Sequence, residues 1–159
     1  MEEDGLPCRC GKHGCLETIA SARGVVERAR LLANDFPDSA IEKKQGKITL
    51  GTLQTAFLNG DPLARKVVRE AGHYLGTAIA GLISTLNIQK FILIGEMTQF
   101  GQPWLEAICE KMSQGTLSKL AEGTSIEIGR TDSQGALLGA SALLLLDSYA
   151  LLFMQQASL

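Results

Sequence analysis

Hydrophobic positions recur along this chain at two different periods. Leu16, Ile19, Ala20, Val25, Val26, Ala29, Leu32 and Ala33 return at steps of three and four, which predicts a short helix followed by a longer one, with Ser21 and Gly24 between them. A polar stretch from Asn34 to Lys47 reads as a loop with little structure of its own. Thr49 caps a predicted helix over 50–58, and Asn59-Gly60 ends it. Asp61-Pro62 then sets a cap directly before a proline at the first helical position. The apolar face that follows, Leu63, Val67, Ala71, Leu75, Ala78, Ile79, Leu82 and Leu86, runs for about seven turns. Gly72, Gly76 and Gly81 would each cost that helix about 1 kcal/mol relative to alanine, so another element is expected to pack closely there.

Beyond this helix the period changes. Lys90 to Gly95 is a short apolar run that reads as a buried strand, and a helix restarts near Pro103-Trp104. Ser125 to Gly129 reads as a second strand, and Gly135 to Ala142 as the small-residue start of a long terminal helix. Alternating helices and strands make this an α/β chain. Two strands are few for such a sheet, so either further strands lie hidden in the pattern or the sheet is completed by other sequence.

Composition narrows the function. With 159 residues, 45% hydrophobic and 20% charged, residues 1–159 are expected to form a single domain. A formal charge of −2 gives no electrostatic reason to bind nucleic acid or anionic lipid, so any DNA contact is expected through a segment not in this chain. The greasiest stretch, Ala142 to Met154, is interrupted by Asp147 and Ser148 and falls short of the roughly 18 apolar residues of a spanning helix. It offers more apolar surface than one small lobe covers, which predicts a homo-oligomer, most simply a homodimer. Met1 to Gly5 contain neither the basic nor the apolar region of a secretion signal. A soluble, reduced, cytoplasmic protein is expected.

The candidate chemistry lies in Cys8-Arg9-Cys10-Gly11-Lys12-His13-Gly14-Cys15-Leu16-Glu17, where three of the four cysteines crowd into one glycine-containing loop. Thiolates bind zinc tetrahedrally, and glycines let a short backbone fold around the ion, so Cys8, Cys10 and Cys15 read as most of a structural zinc site, loop 8–15. The bland alternatives are small packed residues or disulfide partners, the latter disfavoured by a reducing compartment. Candidates for a fourth ligand are His13, the distant His73, or a residue the chain does not contain. His73 lies in an apolar helical pattern and reads better as an ordinary helix residue, and Cys109, among Leu105, Ile108 and Met112, as core.

Taken together, Gly5 to Ser21, Gly60-Asp61-Pro62-Leu63-Ala64, Ala71 to Gly76, Leu86-Asn87 leading into Ile92-Leu93-Ile94-Gly95-Glu96, and Ala136 to Ser141 resemble the ROK family of bacterial sugar kinases and sugar-responsive transcriptional repressors. The resemblance covers essentially the whole chain but only the C-terminal half of a family member. It implies the C-terminal lobe of an actin-like, ribonuclease-H-like ATPase fold, helix-rich with a partial sheet and a zinc loop. In the family, an N-terminal lobe carries a phosphate-binding Asp-x-Gly-x-Thr loop and a catalytic aspartate, and a Gly-His pair supplies the fourth zinc ligand. None of these precedes Met1, so no catalytic residue is assigned.

By the same resemblance, Glu17 contacts the hydroxyls of a bound hexose, a role suited to a carboxylate that accepts two hydrogen bonds. The alternative is a first-turn glutamate favoured by the helix dipole. Family kinases end the strand equivalent to 91–94 in paired glycines that let the backbone approach adenosine. Here Gly95 is followed by Glu96, a degenerate nucleotide loop of the kind found among the repressors, so ATP binding is not expected; Glu96 also reads as a simple solvated loop residue. The resemblance therefore implies the sugar-sensing and oligomerisation lobe of a transcriptional regulator, responsive to a sugar or sugar phosphate and catalytically inactive by itself. The alternative is the C-terminal half of an ATP-dependent sugar kinase of the glucokinase, fructokinase or N-acetylmannosamine kinase type. A purely structural zinc or assembly module is a third reading of the same residues.

Overall fold

The computed structural model describes residues 5–41, 48–129 and 137–144. The chain divides into two compact units, Met1–Ile128 and Gly129–Leu159. In the second, residues 137–144 are helical, at the place where a terminal helix is expected; Gly135, Ala136 and the greasy positions from Leu145 to Met154 lie outside the described residues. All the other described elements lie in the first unit.

Its elements follow the hydrophobic periods closely. Helix α1 spans Leu16–Ala20 and α2 spans Ala22–Leu32. Ser21 alone joins them, and its side chain caps α2 by accepting from the Gly24 amide at 3.0 Å. Gly24 lies inside α2 rather than between the helices, and the requirement is steric: a Cβ there would stand 2.7 Å from the Thr18 carbonyl. Helix α3 (Leu50–Leu58) opens on a reciprocal capping box between Thr49 and Thr52. Helix α4 (Pro62–Leu86) opens on Asp61 and ends at Asn87, whose left-handed backbone (φ 52°) closes the last turn.

The long α4 is the axis of the fold because its glycines admit α5 (Gly101–Gln114) to backbone contact. A Cβ on Gly72 would stand 2.8 Å from that of Ala107, and one on Gly76 would collide with the Ile108 carbonyl. Gly81 departs from the expectation: a Cβ there would meet nothing among the described residues within 4 Å. Around this pair, Val25, Leu53, Leu63, Val67, Ile83 and Ile108 form a fully buried core. An Arg28–Glu70 ion pair at 2.9 Å ties α2 to α4.

Strand β1 (Lys90–Leu93) pairs in parallel with β2 (Ser125–Ile128), Lys90 opposite Ser125 and Leu93 opposite Ile128. A three-ten turn over Glu96–Phe100, α5 and the short helix α6 (Ser118–Glu122) connect them. Phe91, Leu93 and Ile126 pack against the core. The strand is not buried on both faces as its apolar run suggests, since Ile92 and Ile94 are 59% and 62% exposed. A parallel sheet ordinarily has both faces covered, and among the described residues only one is.

The stretch after α2 is more ordered than its polarity implies. A three-ten turn over Ala33–Asp35 leads to Ser39, which is fully buried, as Asp61 nearly is. The Ser39 hydroxyl donates to the Asp61 carboxylate at 2.9 Å, and the amides of Ala40 and Ala64 donate to it at 2.7 and 3.0 Å. One carboxylate thus caps α4 and pins the loop to it. Residues 42–47 lie outside the described residues.

Candidate metal centre and adjoining clefts

The cysteine loop is shaped by its glycines. Gly11 and Gly14 adopt φ values of 85° and 60°, the left-handed region open to glycine. The Cys8 amide donates to the Lys12 carbonyl at 2.8 Å and the Gly14 amide to the Leu6 carbonyl at 2.9 Å, while Pro7 and His13 form an antiparallel bridge. The loop therefore closes on itself and delivers Cys15 to the N-cap of α1, where the Cys15 carbonyl accepts from the Thr18 amide and hydroxyl at 2.8 and 2.7 Å.

This closure brings the three thiols together. The sulfurs of Cys8, Cys10 and Cys15 lie within 4.8 Å of one another, and those of Cys10 and Cys15 are 3.5 Å apart. Two thiolates bound to one tetrahedral zinc at about 2.3 Å would be about 3.8 Å apart, so the cluster has the dimensions of three corners of such a site. All four cysteines are free thiols. The thiols also share charge unequally. The Lys12 backbone amide, with Cys15 and Cys8, holds Cys10 below its ordinary range, whereas hydrogen bonding to Cys10 and Cys8 pushes Cys15 up to about 11. A divalent cation would relieve that competition, because its charge favours every thiolate at once. The His13 side chain is exposed and is not among the ligand atoms of the cluster.

Glu17, in the first turn of α1, places Oε2 3.8 Å from the Cys8 sulfur. It lines a cleft of about 210 Å³ whose walls include Leu6, Pro7 and Leu31. Two residues that the pattern did not single out, Arg9 and Arg23, line the same cleft. No sequence signal marks them, since their convergence depends on how α2 turns back past the loop.

Gly95 and Glu96 lie elsewhere, at the end of β1. Gly95 has φ 106°, and its carbonyl accepts from the Thr98 amide and hydroxyl at 3.1 and 2.6 Å. Glu96 is exposed and, with Ile94, Met97, Leu75 and Trp104, lines a second cleft of about 450 Å³. Ser21, at the α1–α2 junction, borders both clefts. Trp104 is buried, and its indole N–H has no hydrogen-bond partner among the described residues.

The other candidates have ordinary surroundings. His73 Nε2 lies 3.4 Å from Glu110, which also pairs with Arg69 at 3.1 Å, in a surface network between α4 and α5. The His73 hydrogen bond and the Arg69 charge hold the Glu110 carboxyl below its ordinary range. Cys109 is half-buried, and burial followed by the charge of Glu106 pushes its thiol up, the reverse of what a nucleophile needs. No helix among the described residues is long and apolar enough to cross a membrane.

The comparisons agree with this architecture. A glucokinase of Halalkalibacterium halodurans is 32% identical over 142 residues, 87% of this chain and 43% of that protein. The DNA-binding transcriptional repressor Mlc of Escherichia coli is 30% identical over 137 residues, 86% of this chain and 33% of that one. The crystal structure of a ROK family transcriptional regulator, a homolog of E. coli Mlc, superposes with a TM-score of 0.74 at 27% identity, over 84% of this chain and 34% of that one. The chain thus spans between a third and a half of the length of these relatives, and they include kinase and repressor alike. The family model described as ROK family matches residues 1–146. With that match and a fold shared over 84% of its length with a ROK family regulator, the chain belongs to the ROK family.

Proposed function

We propose that this chain is the sugar-sensing and oligomerisation lobe of a ROK-family transcriptional regulator, and that it performs no catalysis by itself. The observation that carries the reading is Glu96. Gly95 has the open backbone that would let a nucleotide approach, but the next residue sets a carboxylate at the lip of the cleft. A negative charge there opposes a polyphosphate, and a side chain fills space that a second glycine would leave open.

In this reading Cys8, Cys10 and Cys15 hold zinc, with the fourth ligand from His13 or from outside these residues. The ion fixes the loop that presents Glu17 to a sugar or sugar phosphate. Effector binding then shifts the arrangement of a cytoplasmic homo-oligomer, most simply a homodimer, whose DNA contacts are made by a segment outside these residues. The formal charge of −2 agrees with that division of labour.

The kinase reading is supported by the glucokinase relative at 32% identity. In that case the same lobe would complete a site for phosphoryl transfer from ATP to a hexose, the general base coming from elsewhere. Titration of the chain with Mg-ATP, monitored by Trp104 fluorescence, separates the two. The regulator reading expects no saturable change, and Glu96→Gly is expected to strengthen any residual binding. Micromolar affinity for ATP in the unaltered chain would overturn it.

A further inference from the structure

We propose that Cys10 and Cys15 form a reversible oxidation site, closed to a disulfide by a hydroperoxide with release of the zinc that the loop holds. The inference rests on the loop as a zinc site and adds a means of emptying it. The two sulfurs lie 3.5 Å apart, so a disulfide at about 2.05 Å needs them to approach by about 1.5 Å, a shift that two side chains share. The loop has room for it: Gly11 and Gly14 lie between the two cysteines, both with left-handed backbone, and a Cβ on Gly11 would meet nothing among the described residues within 4 Å. The two thiols are also placed unequally. Cys10 is exposed, whereas Cys15 is half-buried at the N-cap of α1, its carbonyl held by Thr18. An oxidant in solution therefore meets Cys10 first, with Cys15 beside it as the resolving thiol.

The chemistry balances with hydrogen peroxide as the oxidant. The Cys10 thiolate attacks one peroxide oxygen, the O–O bond breaks, and the departing hydroxide takes up a proton to leave as water, with Cys10 now a sulfenic acid. The Cys15 thiolate then attacks that sulfur, the S–O bond breaks, and a second hydroxide leaves as water with a second proton. Two electrons have passed from the sulfur pair to the peroxide. Of the three clustered thiols, Cys8 alone can still serve as a thiolate ligand, too few to hold the ion. Cys15 opens α1 two residues before Glu17, so the change is made at the root of the helix that presents Glu17 to its cleft. In a reducing compartment such a bridge is transient, of the kind that senses an oxidant rather than holds a fold. Cys109, half-buried on α5, stands outside the cluster and serves as the internal control.

Treating the zinc-loaded chain with hydrogen peroxide tests this, with metal release followed by a chromogenic chelator and the products mapped by mass spectrometry. One zinc is expected to leave per chain as a peptide joining Cys10 to Cys15 appears, lighter by two hydrogens, and dithiothreitol with added zinc is expected to restore both mass and metal. Cys109→Ser is expected to behave as the unaltered chain does. Since loss of a clustered thiol itself weakens zinc binding, the other variants are compared as metal-free chains, with circular dichroism reporting that each is folded. There Cys8→Ser is expected to form the bridge still, and Cys10→Ser and Cys15→Ser to form none. A bridge that includes Cys8, or sulfinic acid without a bridge, would overturn the site in the unaltered chain. Zinc retained with every thiol reduced would overturn the oxidation while leaving the metal site intact. A chain that binds no zinc yet joins Cys10 to Cys15 would instead overturn the zinc reading, and with it the metal release, while the oxidation site stands.

Discussion

The Asp61 carboxylate accepts three hydrogen bonds while nearly removed from water, so it holds more structure than its single position suggests. Asp61→Ala removes a helix cap and strands buried donors, and is expected to cost about 3 kcal/mol in urea unfolding; Asp61→Asn, which still caps, is expected to cost less. The cap was legible because Asp61-Pro62 is a local signal. Its second role was not, because Ser39 lies 22 positions away and nothing adjacent to it announces burial. The cysteine cluster was legible for the same reason as the cap, since three thiols and two turn-forming glycines lie within eight positions. Cys10→Ser removes one of three clustered thiols, and mass spectrometric metal analysis is expected to find near-stoichiometric zinc in the unaltered chain and little in the variant. Arg9 and Arg23 stayed hidden because their place on one cleft is created by the fold around them.

Among the elements, the pairing of α4 with α5 explains why glycine is tolerated within a 25-residue helix. Gly76→Ala forces a methyl into the Ile108 carbonyl, and the overlap outweighs the gain in helix propensity; a loss of about 2 kcal/mol is expected from thermal unfolding. Gly81→Ala has open space and should instead stabilise by up to about 1 kcal/mol. Three glycines that look alike in the sequence thus differ in sign, because their effect depends on a partner helix some 30 positions later. The helices with strong ends, α3 and α4, were readable from Thr49 and Asp61-Pro62. The five-residue α6 was not, since Leu117 precedes it with no side-chain cap and its span is too short to show a period. Both strands were found, but the exposure of Ile92 and Ile94 depends on what covers the outer face, which a run of apolar residues does not reveal.

On the scale of the molecule, the family could be read from the order of short motifs even though the sheet could not be completed from them. The chain matches 43% and 33% of two relatives that differ in chemistry, so family membership fixes the fold but not the choice between sensing and phosphoryl transfer, which the proposed reading rests on Glu96. The close seating of α5 on α4 has one further consequence, in time rather than in space. These two helices are separated only by β1 and a single three-ten turn, so the largest interface in the core joins segments that are near neighbours along the chain. Little loop-closure entropy opposes their meeting, so this helix–strand–helix unit, whose two helices run parallel, is expected to form early, with core substitutions in α4 and α5 slowing folding more than substitutions in the cysteine loop do.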